Sequence, residues 1–255
     1  MATNLHAQIV SLFFLGELNE LSRRVNRTVA ETQQENGWHA AMTAKSFLGS
    51  SAWLKDDNVE LARVHAADIE QMLDRGFDRL HYCELIGSAH IDLYCGAASQ
   101  AYERLEHSWK QAVPRIGMVD PTYRVLLHHL RARAALGCLS RESDDRKLHR
   151  VARRDGKGLC RDWQQWARPL GQLVLAGLAA VEGNQRQSIK LLRVGIQQCD
   201  EAELALFAAA ARCRLGALLN NNEGQSLLTA GTNFMQQQGI RSPERMIEML
   251  IPGFD

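Results

Sequence analysis

The chain has 255 residues, enough for a large buried core, with 30 Lys and Arg against 29 Asp and Glu for a formal charge of +1. That balance excludes a global field drawing the whole protein to nucleic acid or to an anionic membrane. Six scattered cysteines with no C-x-x-C pair read as buried free thiols in a reducing compartment rather than as a disulfide framework.

Almost every segment reads as helix, and no run alternates apolar and polar residues long enough for a sheet. Pro114, Pro121, Pro169, Pro243 and Pro252 all fall at expected helix edges, where a missing N–H costs least. Leu5 to Leu15 predicts a short apolar helix broken at Gly16-Glu17. Leu18, Leu21, Val25 and Val29 stripe a second helix that ends at Asn36-Gly37. Trp38 to Leu54 predicts one further helix, stopping at Lys55-Asp56-Asp57. Asp57 with Glu60 signals a cap for the next, striped by Ala62, Ala66, Ile69 and Leu73 up to Gly76. Tyr82 to Cys95, closed by Gly96, pairs with the helix of Ala101, Leu105 and Trp109.

Asp120-Pro121 is an N-cap followed by proline at the first helical position. It opens a helix striped by Leu126, Leu127, Leu130, Ala134 and Leu136, ending at Gly137. Ser140 to Arg161 is polar, Arg-rich and the least regular part of the chain. The clearest helix pair follows. Leu170, Leu173, Val174, Gly177, Leu178 and Val181 form one stripe. Gly183 ends it, Asn184 with Gln187 caps the partner, and Ile189, Leu192, Ile196 and Cys199 stripe that partner. A similar pair uses Leu204, Ala208, Ala211, Leu215 and Leu218. It turns at Asn220-Asn221-Asn222 and is recapped by Asn222 with Gln225 before Leu227 to Gln238. Ser242-Pro243-Glu244 starts a last short helix, and the chain closes on Ile251-Pro252-Gly253-Phe254.

The turns near Asp56, Gly96, Cys138, Gly183 and Asn222 recur about every forty residues, the signature of stacked helix pairs that complete each other's core. The expected fold is all-α, a tetratricopeptide-like α-solenoid of antiparallel helix hairpins, with an irregular helical bundle as the alternative. The period exceeds the roughly thirty-four residues of the standard repeat, and its W-x-x-L-G-x-x-Y signature is not cleanly present. One domain is expected over 1–255: N-terminal helices at 5–36, repeat hairpins at 38–200 with an irregular basic segment at 140–161, and a last hairpin with a C-terminal cap at 201–255. With no basic n-region or cleavage site at the start, and Ile9 to Leu15 far too short to span a bilayer, a cytoplasmic location is expected.

Candidates for chemistry are few. Adjacent His128 and His129 diverge by about 100° on a helix and cannot easily share one ion. His81 and His90 add no metal-ligand spacing, and no H-E-x-x-H or G-x-S-x-G occurs. Asp155-Gly156-Lys157-Gly158 lacks the first glycine, the final Ser/Thr and the strand of a phosphate loop, and reads as a polar inter-helix loop. No cofactor, metal or catalytic residue is expected. Arg141, Arg146, Lys147, Arg150, Arg153, Arg154, Lys157 and Arg161 are the one local charge asymmetry. Asp144, Asp145, Asp155 and Asp162 dilute it, so a solvated, ion-paired face is favoured over nucleic-acid binding, even with Trp163 and Trp166 close by. Trp38, Trp53 and Trp109 read as packing residues.

Met235-Gln-Gln-Gln-Gly239-Ile240-Arg241-Ser242-Pro243-Glu244-Arg245-Met246, followed by Met249-Leu250-Ile251-Pro252-Gly253-Phe254, resembles the C-terminus of large bacterial Ser/Thr protein kinases that also carry a signalling-type ATPase module. Gly16-Glu17-Leu18, His81-Tyr82, Ile91 to Gly96, Leu130 to Ala135 and Arg214-Leu215-Gly216 are similar, in order, to the helical repeat region of those proteins. No glycine-rich loop, V-A-I-K, H-R-D-x-x-x-x-N or D-F-G is present. The resemblance therefore implies a non-enzymatic scaffold or sensor segment that binds a protein or peptide partner along a concave groove, such as the kinase or ATPase domains of the same pathway. The candidate interaction surface is Arg146, Arg150, Arg153, Arg154, Lys157 and Arg161. Nucleic-acid binding through 141–161, and a homodimer through an exposed Leu5 to Leu15 patch, are the alternatives.

Overall fold

A computed structural model describes residues 2–31, 38–70, 79–116, 121–140 and 145–254. Every regular element among them is helical. In order they are α1 (Ala2–Leu15), α2 (Leu18–Glu31), α3 (Trp38–Lys45), a 3-10 turn (Phe47–Ser50), α4 (Ser51–Leu54), α5 (Val59–Glu70), α6 (Arg79–Tyr94) and α7 (Ala98–Ile116). Then come α8 (Pro121–Leu139), α9 (Arg146–Cys160), α10 (Ala167–Val181), α11 (Gln185–Glu201), α12 (Ala205–Leu219), α13 (Asn222–Gln237) and α14 (Pro243–Leu250). Each of α7 to α13 packs mainly on its neighbours in sequence, as in an α-solenoid. The expected features at Asn36-Gly37, Leu73, Gly76, Asp120, Arg141 and Asp144, and the Trp38 side chain, lie outside the described residues.

Six turns close their helices in the same way. Gly16, Asp57, Gly96, Gly183, Glu203 and Gly239 all have positive φ, between 55° and 77°. At each, that residue's amide bonds the carbonyl three back, and the next amide bonds the carbonyl five back. Gly183 N–H reaches Ala180 O at 2.9 Å and Asn184 N–H reaches Ala179 O at 2.8 Å. This pairing satisfies the last carbonyls of each helix and aims the chain straight into the next N-cap. Asn184 then accepts the Gln187 amide at 3.1 Å, as the sequence predicts. Two caps sit one residue from their expected place. Asn58, not Asp57, accepts the Leu61 amide (3.1 Å), and Asn221, not Asn222, accepts the Gly224 amide (2.9 Å). Asp57 and Asn220 instead take the left-handed conformation.

The expected single helix from Trp38 to Leu54 is broken. Ser46 Oγ bonds the Met42 carbonyl at 2.7 Å, and Phe47 follows at φ 54°. The break turns the Phe47 ring into the core against His6 (4.5 Å) and Tyr123 (5.6 Å). It also lets α6 approach at Gly87, where an added Cβ would stand 2.9 Å from the Phe47 nitrogen. Pro114 lies inside α7, which runs on to Ile116, and α8 continues past Gly137 to Leu139.

The largest correction is at 140–161. Residues 146–160, expected to be irregular with a Gly-Lys-Gly loop, form the regular helix α9. Asp145 caps it by accepting the Lys147 amide at 2.7 Å. Val151, Ala152, Asp155, Gly156 and Leu159 make its buried face. Gly156 lies where α10 crosses: a Cβ there would come 2.9 Å from Val174, and one on Gly171 would come 2.6 Å from the Gly156 oxygen. Gly156 and Gly171 serve a close helix crossing, whereas Gly158 faces open space on the helix.

From α6 to α12 the even-numbered helices are buried on nearly all sides, whereas the odd-numbered ones keep an exposed face. α6 touches α8, and α8 touches α10, so they form an inner layer. The chain's two ends meet over it. α1 packs on α12, and α14 on α6 and α12. Arg241 N–H bonds the Lys55 carbonyl at 2.9 Å, and Asn19 Nδ2 bonds the Gln237 carbonyl at 3.1 Å. Of the Leu5 to Leu15 segment, Ile9, Phe13 and Phe14 are buried, the last two against Phe207 of α12, while Leu5, Val10 and Leu12 are partly buried and Leu15 is exposed.

Candidate interaction surface

α14 and the residues after it lie on the inner layer and leave an open cavity of about 570 Å³ at their edge, lined by Tyr94, Arg214, Leu228, Pro243, Arg245 and Glu248 among others. Arg133 of α8 donates to the Met249 carbonyl at 3.0 Å, and Arg214 of α12 to the Ile251 carbonyl at 3.0 Å and to Glu248. Arg245 of α14 bonds Asp57 at 2.7 Å, and the Tyr94 hydroxyl bonds the same carboxylate at 2.9 Å. Pro252 and Gly253 are buried across Gly177, where an added Cβ would come 2.6 Å from the Pro252 oxygen. Arginines at a helix C-terminus meet the partial negative charge of its last carbonyls.

The outer face of α9 is different. Arg146, Arg150, Arg153, Arg154 and Lys157 are exposed on the side opposite its buried face, with exposed Arg161 just past its end. At 1.5 Å per residue they form a row about 22 Å long. The six residues singled out from the sequence therefore come together. Two of the aspartates counted against them do not. Asp155 is 2 % exposed and turned into the protein. It accepts from Arg131 Nε (2.8 Å) and Nη2 (2.9 Å) and from His128 Nδ1 (3.1 Å). Burial pushes the Asp155 carboxyl up, but the His128 hydrogen bond and the Arg131 charge outweigh it and hold it below the usual carboxylate range. Asp162 is also buried and takes Arg124 at 2.6 Å and the Gln164 amide at 2.9 Å.

Among the described residues the carboxylates paired with the basic residues of the outer face are Glu182, bonded to Arg153 and to His149 (3.3 Å), and Glu106, 3.2 Å from Lys147, while exposed Asp145 caps the N-terminal end. Arg154 contacts Asp155 at 3.4 Å. Among the described residues no carboxylate pairs with Arg146, Arg150, Lys157 or Arg161. The row is thus nearly of one sign.

Both ends of the row carry further features. At the N-terminal end an open cavity of about 900 Å³ is lined by Leu139, Arg146, His149, Arg150, Val181 and Glu182. A neighbouring cavity of about 340 Å³ shares Leu139 and Val181 and reaches Leu218 and Phe254. At the other end Trp163 is 71 % exposed. Its exposure is invisible to composition, because Trp53 and Trp109 in similar sequence settings are packing residues: Trp53 is buried against His65, and Trp109 lies under the Arg131 guanidinium at 3.2 Å.

The remaining titratable clusters pair internally. His128 and His129 diverge as expected, the first toward Asp155 and the second, fully buried, toward Phe207 (5.4 Å). A cavity of about 180 Å³ between α8 and α9 holds His128, Asp155, Arg124, Arg154 and Asp162, and those charges neutralise one another. All six cysteines are unbridged, with Cys83, Cys199 and Cys213 buried. Among the described residues no group of three or more His, Cys, Asp or Glu could hold a metal ion, and no helix is long and apolar enough to cross a membrane. No family model, curated protein or solved structure matches this chain.

Proposed function

We propose that the chain is a non-catalytic, tetratricopeptide-like array of antiparallel helix pairs that binds a protein or peptide partner in the cytoplasm. Its setting is the signalling of Ser/Thr kinases with ATPase modules, whose C-terminal repeat region the sequence resembles. The all-helical packing, the shared turn geometry and the lack of any phosphate-handling motif support this reading. The binding surface is the outer face of α9, not an inner groove. The observation that carries this is the exposed cationic row Arg146, Arg150, Arg153, Arg154, Lys157 and Arg161, set against an inner layer already taken by α14.

The test is retention of a protein of that kinase–ATPase architecture on the immobilised chain, run beside an ATP-turnover assay of the chain alone. Retention without turnover is expected. Turnover of ATP by the purified chain would overturn the non-catalytic reading, and absence of retention the proposed setting.

A further inference from the structure

The row on α9 has a chemistry that selects its partner. Its residues recur about once per helical turn, a rise of about 6 Å along the axis between positions i and i+4. In an extended peptide, side chains two residues apart on one face are about 6.8 Å apart, and in a helix acidic positions i and i+4 repeat at the same 6 Å. Either form of an acidic polypeptide can follow the row rung by rung. The open cavity at its N-terminal end offers Leu139 and Val181 beside Arg146 and Arg150, a seat for one aliphatic side chain flanked by carboxylates.

A nucleic-acid strand fits less well. It needs aromatic platforms interleaved with the charges, whereas the exposed ring here, Trp163, stands beyond one end. Glu106 and Glu182 also interrupt the row. They would repel successive phosphates, while a peptide can place an uncharged residue opposite each.

We propose that the outer face of α9 docks an acidic protein segment that carries an aliphatic residue, its carboxylates on Arg146, Arg150, Lys157 and Arg161 and its aliphatic side chain in the cavity between α8, α9 and α10. This rests on the protein-binding reading above and names the partner's chemistry. Arginine suits the role because its planar fork pairs a carboxylate through two parallel hydrogen bonds.

The experiment is fluorescence anisotropy of the full chain with a labelled glutamate-rich peptide bearing a central leucine, at physiological salt. Two charge-matched double variants are compared: Arg150→Glu with Lys157→Glu on α9, and Arg186→Glu with Lys190→Glu on the exposed face of α11. All four residues are exposed, so both variants are expected to fold, which helical circular dichroism checks. The α9 variant is expected to lose binding at least tenfold and the α11 variant less than twofold. The glutamine counterpart of the peptide is expected to bind at least tenfold more weakly than the glutamate form.

Equal loss in both variants would show bulk charge alone, and equal binding of the glutamine peptide would remove the acidic requirement. Tighter binding of single-stranded oligothymidylate, displacing the peptide, would make the face a nucleic-acid surface. Each of these overturns the proposal. Failure of the acidic peptide while the kinase–ATPase protein is still retained overturns this inference and leaves the protein-binding reading standing. Failure of both overturns both.

Discussion

Arg133 and Met249, 116 positions apart, are joined by a 3.0 Å hydrogen bond from guanidinium to main-chain carbonyl. Arg133 is 2 % exposed, and its other Nη lies 2.9 Å from His90 Nε2. No carboxylate among its bonded partners offsets the charge, which rests on the carbonyl end of α14 and on a neutral imidazole. The bond ties the last helix to α8, beside the packing of α14 on α6 and α12 and the Arg214 bond to Ile251.

Replacing Arg133 by Ala should leave the Met249 carbonyl and His90 Nε2 buried without a donor and open a cavity. The expected loss is about 3 kcal/mol or more of unfolding free energy in urea titration. Arg133→Met fills the volume without a buried charge and should cost less. A loss under about 1 kcal/mol for the Ala variant would contradict this role.

His90 gives the fold an acid sensitivity. Burial, helped by the Arg133 charge, pushes its imidazole down to about 3, against the ordinary 6.5. Between those values the unfolded chain binds a proton that the folded one refuses. Stability is therefore full above about pH 6.5 and falls as pH drops toward 3, by on the order of 5 kcal/mol in total. His129, also buried and held far below its ordinary value, acts in the same direction. Urea midpoints at pH 7, 5 and 4 should decline accordingly, and His90→Gln should flatten the slope.

Gly156 and Gly158 test whether α9 is a helix. A Cβ on Gly158 meets nothing within 4 Å, while one on Gly156 comes 2.9 Å from Val174 and 3.1 Å from Leu175. Gly158→Ala should stabilise by about 0.5–1 kcal/mol, the ordinary gain in a helix interior. Gly156→Ala should destabilise by about 1–3 kcal/mol through overpacking. Thermal unfolding of the two variants should shift in opposite directions. A polar loop would respond weakly and alike to both.

Asp155 is the anchor that turns α9 inward. Asp155→Asn removes the charge that Arg131 and His128 share, leaving a guanidinium with 2 % exposure on the 3.4 Å contact with Glu106 and the ring of Trp109. A loss of about 3 kcal/mol is expected in urea titration, with less for Asp162→Asn, whose partner Arg124 is partly exposed.

Much of the helical order was legible because its signals are local. Gly183-Asn184 announces both a left-handed cap and the next N-cap within two residues, and the same logic found Gly16 and Gly96. α9 is hidden in the sequence for the opposite reason. Its buried face sets Ala152, Asp155 and Gly156 between only two larger apolar residues, Val151 and Leu159, so the stripe is faint in the sequence. The basic residues were found by composition, but their one-sided display was not, because it depends on Arg131 and Arg124 drawing Asp155 and Asp162 inward across 24 and 38 positions. The covering of the inner layer was equally hidden, since it rests on long-range bonds such as Arg133 to Met249 and Arg214 to Ile251.

The most direct test of an outer binding face is hydrogen–deuterium exchange of the chain with and without a protein of the proposed kinase–ATPase architecture. New protection is expected over 146–161 and at the cavity residues Leu139 and Val181, with α6, α8 and α14 unchanged. Protection confined to α6, α8 or α14, with 146–161 exchanging as in the free chain, would contradict it.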